Sequence, residues 1–244
     1  MRRFVVGDVH GQFEALMLLV EKIDLQAEDQ MYFLGDLIDR GPRSAEVVAW
    51  VMHNRFPCIK GNHEIMCLDA YASPDSTIIW QGWLVNGGVK TLQSYGEDGV
   101  TDEHLEWMWN LPLYLDLGDV WLVHAGVNPN LTLEAQTSTE FCWIREEFHS
   151  STSPYFPDKI IITGHTITFT FAGVQPGQIV RGAGWLDIDT GAYHPKSGWL
   201  TALDIDAWLV HQTNVFTQKY RCLPLADLVV SGGEIVGGQP YPRK

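Results

Sequence analysis

Three short segments of the chain carry side chains that can bind metal ions or transfer protons. They are Gly7-Asp8-Val9-His10-Gly11, Gly35-Asp36-Leu37-Ile38-Asp39-Arg40-Gly41 and Gly61-Asn62-His63-Glu64. Each follows an apolar, strand-like stretch, as do two later histidines, His124 and His165. Carboxylates and imidazoles suit divalent ions such as Mn, Fe and Zn. The order and spacing of these groups predict a two-metal phosphoester hydrolase.

The residue types also suggest how the metal ligands divide. Asp8 and His10 are one residue apart, so both side chains can point to the same side of an extended chain. Asp36 can bridge two ions about 3.5–4 Å apart. We therefore expect Asp8, His10 and Asp36 on one ion, and Asp36, Asn62, His124 and His165 on the other.

Three other residues of these segments have separate predicted roles. His63 directly follows a predicted ligand, so it can protonate a leaving alcohol close to the metals without binding them. Asp39 can hydrogen-bond the other ring nitrogen of His63 and fix its tautomer. The planar guanidinium of Arg40 matches two phosphate oxygens.

Each of these signals has a plainer explanation when it is taken alone. A Gly-Asp pair is most often a turn and a helix N-cap, and a lone histidine is most often a hydrogen-bonded core residue. Their joint occurrence in this order favours a site. The remaining aromatic, thiol and imidazole side chains are interpreted as packing or as lacking ligand-like context: Trp80, Trp83, Trp107, Trp109, Cys58, Cys67, His53, His104, His149, His194 and His211.

The elements around the first three segments read as alternating strands and helices. Apolar runs at 4–6, 31–34 and 57–59 predict strands, and helical spacing over 12–25 and after Ser44 predicts two helices, the second capped by Ser44. This β-α-β-α-β order implies parallel strands with right-handed crossovers. Ligands of such sheets bind beyond the carboxyl ends of the strands, which is where all three segments lie.

The rest of the chain is expected to cover and extend this sheet. Residues 64–115 read as helical, and 120–123 and 159–163 as strands that deliver His124 and His165. The stretches 185–189 and 199–203 flank a Gly-containing turn, which predicts a hairpin in a second, antiparallel-rich sheet. No linker divides the chain, so 1–244 is expected to be one catalytic domain, with motifs over 4–205 and disorder over about 237–244.

Composition narrows the class of protein. The chain has 244 residues, 45% of them hydrophobic, and a formal net charge of −14. This charge disfavours a nucleic-acid partner, and no apolar run suggests a signal peptide or a membrane partner. Four scattered cysteines without a C-x-x-C pair fit reduced thiols and a cytoplasmic location. The oligomeric state is left open.

The motif set resembles the phosphoprotein phosphatase family of calcineurin-like metallophosphoesterases, with G-D-x-H-G, G-D-x-x-D-R-G, G-N-H-E, H-A-G and G-H at 7–11, 35–41, 61–64, 124–126 and 164–165. Within it, the chain is most similar to bacterial and phage enzymes of the bacteriophage lambda protein phosphatase type. Three further segments resemble that group: Trp83-Leu84-Val85-Asn86-Gly87-Gly88, Trp143-Ile144-Arg145 and Ile188-Asp189-Thr190-Gly191-Ala192.

The resemblance implies an αββα sandwich, an α/β arrangement of two mixed β-sheets flanked by helices. It implies direct attack by a metal-bridging hydroxide, with His63 as general acid oriented by Asp39, and Arg40 and Arg145 binding phosphate. The implied cofactors are two divalent ions, most often Mn2+ in the bacterial and phage members, with Fe or Zn as alternatives. Arg145 taken alone could equally form a solvated helix pair with the glutamates beside it.

The resemblance also implies a substrate class. A phosphoserine or phosphothreonine protein or peptide is the main prediction, with phosphotyrosine and aryl phosphates as further substrates. The alternative is a symmetrical dinucleoside polyphosphate (diadenosine tetraphosphate) hydrolase, in which Ala tends to replace Asp39 and G-N-H-D replaces the segment ending in Glu64. A third alternative, a non-catalytic binding module, is disfavoured because every expected ligand is present.

Overall fold

The strands of the protein form two mixed sheets. A computed structural model describes residues 1–233 and 235. The strands are β1 (Arg3–Val6), β2 (Gln30–Phe33), β3 (Tyr114–Asp116), β4 (Val120–Val123), β5 (Ile160–Thr163), β6 (Ile179–Gly182), β7 (Trp185–Asp187), β8 (Trp199–Asp204), β9 (Leu209–Asn214), β10 (Tyr220–Pro224) and β11 (Val229–Ser231). The first sheet has the order β10-β9-β8-β1-β2 and the second the order β11-β6-β7-β5-β4-β3.

Helices follow the strands that carry the predicted site and cover the sheets. They are α1 (Phe13–Ile23), α2 (Ser44–His53), α3 (Asn62–Ala72), α4 (Thr77–Trp83), α5 (Val89–Tyr95), α6 (Asp102–Trp109), α7 (Ser138–Trp143), α8 (Glu146–His149) and α9 (Leu225–Leu228). A π-helical turn, Leu84–Gly88, joins α4 to α5, and 3₁₀ turns occur at Leu133–Ala135 and Thr168–Thr170. Within the described residues, no helix combines the length and apolar character that crossing a membrane requires.

The apolar side chains divide into three cores that define the layers. The middle core takes residues from both sheets, such as Val5 of β1 and Ile162 of β5. A second core joins the first sheet to α1 and α2, through residues such as Leu16 and Val48. A third joins the second sheet to α7 and α8. The order is therefore helix, sheet, sheet, helix, and the predicted αββα sandwich is confirmed.

Parallel pairing brings the site segments to one region of each sheet. β1 runs parallel to β2, so Val6 and Phe33 are partners just before the first two motif segments. In the second sheet β4 runs parallel to β5, just before His124 and His165. The carboxyl ends of these four strands therefore deliver the predicted ligands.

Four local predictions need correction. Ser44 does not cap α2; it is the first helical residue, and its hydroxyl accepts a bond from the backbone N–H of Asp39 at 3.1 Å. The predicted strand at 57–59 shrinks to one parallel bridge between Phe33 and Cys58. The disorder predicted over about 237–244 is not tested, because these residues lie outside the described part of the chain.

The third and fourth corrections concern the stretches 185–189 and 199–203, which form strands but no hairpin. β7 pairs with β5 and β6 in the second sheet. β8 pairs with β1 and β9 in the first sheet, so the predicted separate C-terminal sheet is instead an antiparallel extension of the first. The segment between β7 and β8 therefore crosses from one sheet to the other. An apolar pattern predicts that a segment is a strand, but it does not specify the sheet to which the strand belongs.

Candidate metal centre

The first motif segment is shaped by its contacts with the second. The backbone N–H groups of Val9 and His10 both donate to the carbonyl of Asp36, at 3.1 and 2.8 Å. His10 Nδ1 lies 2.8 Å from the carbonyl oxygen of Ile38. Because a carbonyl only accepts, Nδ1 carries the proton and Nε2 keeps its lone pair. His10 is thus prepared as a neutral ligand.

Asp36 lies between two groups of buried side chains. Its Oδ2 is 3.6 Å from His10 Nε2 and 3.8 Å from His63 Nε2, whereas its Oδ1 is 3.4 Å from His124 Nε2. Oxygen atoms of one carboxylate that face different imidazoles are what a bridging ligand requires. The arrangement fits the predicted bridging role of Asp36.

The second group is built around the amide of Asn62. Its Oδ1 lies 2.9 Å from His124 Nε2 and 2.8 Å from His165 Nδ1. His124 Nδ1 lies 2.8 Å from the carbonyl of Leu34, which fixes its tautomer as in His10. His165 Nε2 is buried and has no hydrogen-bond partner among the described residues. A buried imidazole nitrogen that has no hydrogen-bond partner and lies in an acidic cluster fits a cation ligand.

The six predicted ligands are therefore brought together, with one difference in grouping. Ligand atoms of Asp8, Asp36 and His124 lie within 4.8 Å of one another, and so do those of His10, Asp36 and His63. Asp8 also accepts the backbone N–H of His165 at 3.2 Å. The sequence-based division, which paired Asp8 with His10, stays a prediction.

The buried carboxyl groups of the cluster are stable in their charged form only if positive charge lies close to them. Burial raises the pKa of Asp8 well above its usual range and also raises the pKa of Asp36. Burial lowers the pKa of His10 and His165 well below the usual range and that of His124 to about 4, so the three imidazoles are neutral. Buried carboxylates need a compensating cation. The donor set thus fits two divalent ions, which would supply Lewis acidity and an activated water.

His63 is held beside this cluster by Asp39. His63 Nδ1 donates to Asp39 Oδ2 at 2.6 Å. Asp39 is fully buried and accepts two further bonds, from Trp83 Nε1 at 3.0 Å and from the hydroxyl of Thr91 at 2.6 Å. Burial raises the pKa of Asp39 to about 7, and the bonds from Thr91 and Trp83 oppose that shift by stabilising its charged form. The predicted His63–Asp39 contact is present; its catalytic role remains to be tested.

Trp83 and Thr91 contact the predicted His63–Asp39 pair, and the sequence reasoning assigned neither of them to the site. Trp83 was interpreted as packing, and it does pack, with 1% of its surface exposed. Its indole N–H, however, points at the carboxylate of Asp39. The available signal was its place in Trp83-Leu84-Val85-Asn86-Gly87-Gly88. The π-helical turn in that segment packs Gly87, which has a φ of +121°, directly against Arg40. A Cβ at this position would lie only 2.8 Å from Arg40, so a larger residue would clash there.

The two predicted phosphate-binding arginines differ in their surroundings. Arg40 Nη1 donates to the hydroxyl of Tyr193 at 2.8 Å, and its Nη2 lies 3.3 Å from His63 Nε2. Arg145 Nη1 donates to the carbonyl of His165 at 3.2 Å and to the hydroxyl of Thr166 at 3.0 Å. Both guanidinium groups therefore adjoin the cluster, and the plainer prediction for Arg145, a solvated pair with neighbouring glutamates, is wrong.

Comparison with known proteins agrees with this geometry. The sequence profile described as calcineurin-like phosphoesterase matches residues 1–210. The chain belongs to the calcineurin-like phosphoesterase family. The match shows the family and does not fix the identity of a metal.

Relatives of this phosphoesterase divide between two activities. Serine/threonine-protein phosphatase 1 of Salmonella typhimurium is 43% identical over 86 residues, which are 35% of this chain and 38% of that protein. The symmetrical bis(5'-nucleosyl)-tetraphosphatase of Klebsiella pneumoniae is 31% identical over 250 aligned residues, covering 100% of this chain and 74% of that protein. The chain spans only 38% to 55% of the length of the first four curated relatives that it matches.

Solved structures support the same architecture. A protein serine/threonine phosphatase from Saccharomyces cerevisiae has a TM-score of 0.57 at 17% identity, over 84% of this chain and 73% of that one. A metallophosphoesterase from Sphaerobacter thermophilus has a TM-score of 0.55 at 19% identity, over 93% and 90%. At these identities the likeness concerns the fold alone.

Proposed function

We propose that this phosphoesterase cleaves dinucleoside tetraphosphates symmetrically. The observation that carries the proposal is the extent of the similarity to the Klebsiella tetraphosphatase, which covers the whole chain, whereas the Salmonella protein phosphatase matches 35% of it. The alternative predicted from the sequence is thus better supported than the main prediction, a protein phosphatase.

Space beside the metal centre is compatible with a substrate of this size. A cavity of about 1160 Å³ is lined by Arg145 together with Trp143 and Arg181. Small-molecule sites commonly measure about 300–1000 Å³. Arg145 connects the cavity to the surroundings of the cluster, because its guanidinium bonds the carbonyl of His165; none of the six predicted metal ligands lines the cavity.

Dephosphorylation of phosphoserine or phosphothreonine is a second candidate, favoured by the His63–Asp39 pair. The alcohol that leaves a phosphoserine is a poor leaving group, so its cleavage needs a positioned acid. Cleavage between the central phosphates of a dinucleoside tetraphosphate instead has a nucleoside diphosphate as its leaving group, and the oxygen that leaves belongs to a terminal phosphate that is stable as an anion (the second pKa of a phosphate monoester is about 6). A buried histidine held 2.6 Å from a carboxylate is therefore more useful to the monoester reaction.

The chain's own residues have the same tasks with either substrate. Arg40 and Arg145 would bind phosphate oxygens through their N–H groups. His63 would hold a proton at Nε2 for the leaving oxygen, while Asp39 keeps Nδ1 protonated. Asp8, His10, Asp36, Asn62, His124 and His165 would hold the two ions.

The test is phosphate chemistry on two substrates in parallel. Metal-stripped, Mn-reconstituted protein is assayed with diadenosine tetraphosphate, followed by nucleotide chromatography, and with a phosphothreonine peptide, followed by phosphate release. The proposal expects ADP as the sole nucleotide product and slower release from the peptide. Fast peptide turnover without dinucleotide cleavage would establish the second candidate instead. The Asp36→Asn protein, which lacks the proposed metal bridge, serves as the control for contaminating phosphatases.

A further inference from the structure

The guanidinium of Arg40 has an unusual set of partners. Neither Asp nor Glu lies within ion-pair distance of it in the described part of the chain; it contacts the Tyr193 hydroxyl and His63 Nε2, and its buried Nε has no partner. A buried cation is normally paired with a carboxylate. Arg40 is instead oriented by neutral groups, and the carboxylates near it, such as Asp36 and Asp39, act on its charge without bonding it directly.

Tyr193 supplies most of that orientation. Its hydroxyl accepts Arg40 Nη1 at 2.8 Å, and the Arg40 guanidinium carbon lies 4.4 Å from the centre of its ring. The same ring packs edge-on against His10, with the ring centroids 4.8 Å apart. Tyr193 thus fits between a predicted metal ligand and a predicted phosphate-binding side chain.

The loop that carries Tyr193 is itself anchored. The N–H of Gly191 donates to Asp189 Oδ1 at 2.9 Å, and the N–H of His194 donates to the carbonyl of Gly191 at 3.0 Å. A tyrosine hydroxyl is neutral under ordinary assay conditions, because its reference pKa is about 10. A neutral acceptor orients the guanidinium without competing with a phosphate for its charge, as a carboxylate would.

We infer that Tyr193 is a positioning residue of this phosphoesterase: its neutral hydroxyl fixes the Arg40 guanidinium next to His63 and leaves the charge free for a phosphate group of the substrate. The inference rests on the proposed phosphate-binding role of Arg40. It does not depend on whether the substrate is a dinucleotide or a phosphoprotein.

The test is a double-mutant cycle between Tyr193→Phe and Arg40→Ala. Tyr193→Phe keeps the ring and its contact with His10 but removes the acceptor. With p-nitrophenyl phosphate as substrate, we expect kcat/KM to fall about tenfold, the size expected for one hydrogen bond to a charged group. The inhibition constant of inorganic phosphate should rise by a similar factor. In the Arg40→Ala background the tyrosine change should add no further loss, because a shared role makes the effects non-additive.

A second readout covers variants with little activity. Inorganic phosphate should raise the Tm of the Mn-loaded wild type more than that of the Tyr193→Phe protein, while the two phosphate-free Tm values stay equal. Tyr95→Phe is the matched control, since Tyr95 bonds His104 at 2.7 Å and has no contact with Arg40; it should leave kcat/KM and phosphate inhibition unchanged.

The outcomes separate the two hypotheses. If Arg40→Ala alone keeps kcat/KM and phosphate inhibition, the phosphate-binding role of Arg40 is wrong and the inference falls with it. If Arg40→Ala is impaired but Tyr193→Phe matches the wild type, only the role of Tyr193 is wrong. Losses that multiply in the double variant would also overturn it, since Tyr193 would then act independently of Arg40.

Discussion

At the scale of single residues, the metal centre concentrates unusual backbone conformations. His10, Asp36, Asp39, Arg40 and His165 all have positive φ, between 47° and 71°. Such values are uncommon for residues other than glycine, and each costs roughly 1–3 kcal/mol unless its surroundings enforce it. Here the surroundings are hydrogen bonds between segments, such as the N–H of Asp39 to the hydroxyl of Thr91 at 2.9 Å. These conformations occur at residues whose side chains belong to the site or adjoin it.

The assignment of His63 as general acid gives a prediction that depends on the leaving group. His63→Asn should lower kcat roughly 10²–10⁴-fold for a phosphothreonine peptide, whose alkoxide needs a proton. The loss should be much smaller for p-nitrophenyl phosphate, whose leaving group is already stable as an anion. Steady-state kinetics on both substrates, with metal content measured on the same sample, check this. Equal losses on both substrates would mean that His63 does not act as the acid.

At the scale of elements, Glu64 ties the second and third motif segments together. It lies in the first turn of α3, is fully buried, and accepts three backbone N–H groups. Those of Asp36 and Gly61 bond Oε2 at 2.9 Å each, and that of Leu37 bonds Oε1 at 2.8 Å. In the sequence analysis this residue served only to separate subfamilies. Its contacts show that it also fixes the loop carrying Asp36 to the helix carrying Asn62.

Replacing this carboxylate tests its structural role. Glu64→Gln exchanges one acceptor oxygen for an NH₂ group, so at least one buried backbone N–H loses its partner. We expect the free energy of unfolding to fall by about 1–3 kcal/mol, the usual cost of an unsatisfied buried group. Urea unfolding of the metal-free protein measures it. The same change at the exposed Glu147 is the control and should have little effect. A Glu64→Gln protein as stable as the wild type would refute the role.

At the scale of the whole molecule, the metal centre joins the two sheets. Asp8 and Asp36 follow β1 and β2 of the first sheet, whereas His124 and His165 follow β4 and β5 of the second. Bound ions would therefore link the layers where the middle core ends. Binding that requires the folded arrangement stabilises the whole molecule.

Removal of metal gives a prediction at this scale. Adding Mn2+ at a free concentration of about 100 Kd to chelator-treated protein should raise its Tm by roughly 10–20 °C, since each of two ions contributes about 2.7 kcal/mol, and should restore phosphoesterase activity. Calorimetry and elemental analysis follow the two, with two ions per chain expected. Asp36→Asn, which removes the proposed bridge, should show a smaller Tm shift and weaker binding of both ions. Two ions retained at full occupancy by that variant would exclude Asp36 as the bridge.

The residues of the site and the chemistry open to them could be predicted from local sequence patterns. An Asp or His shortly after an apolar strand is such a pattern, and it predicts Asp8, His10, Asp36, His124 and His165. Asn62 was predicted from its motif segment, although that segment follows a single β-bridge and begins a helix. The αββα class followed from the resemblance that these motifs carry. Both predictions rest on the order of the motifs along the chain.

The groups that surround those residues could not be predicted from the sequence, because they come from distant parts of the chain. Trp83 and Thr91 reach Asp39 from 44 and 52 positions away, and Tyr193 reaches Arg40 from 153. Apolar periodicity describes one face of one element and does not encode which distant donor meets a buried carboxylate. For the same reason it indicated strands at β7 and β8 but not their sheets. Sheet membership depends on which neighbours bury the two faces of a strand, and that is settled by packing across the whole fold.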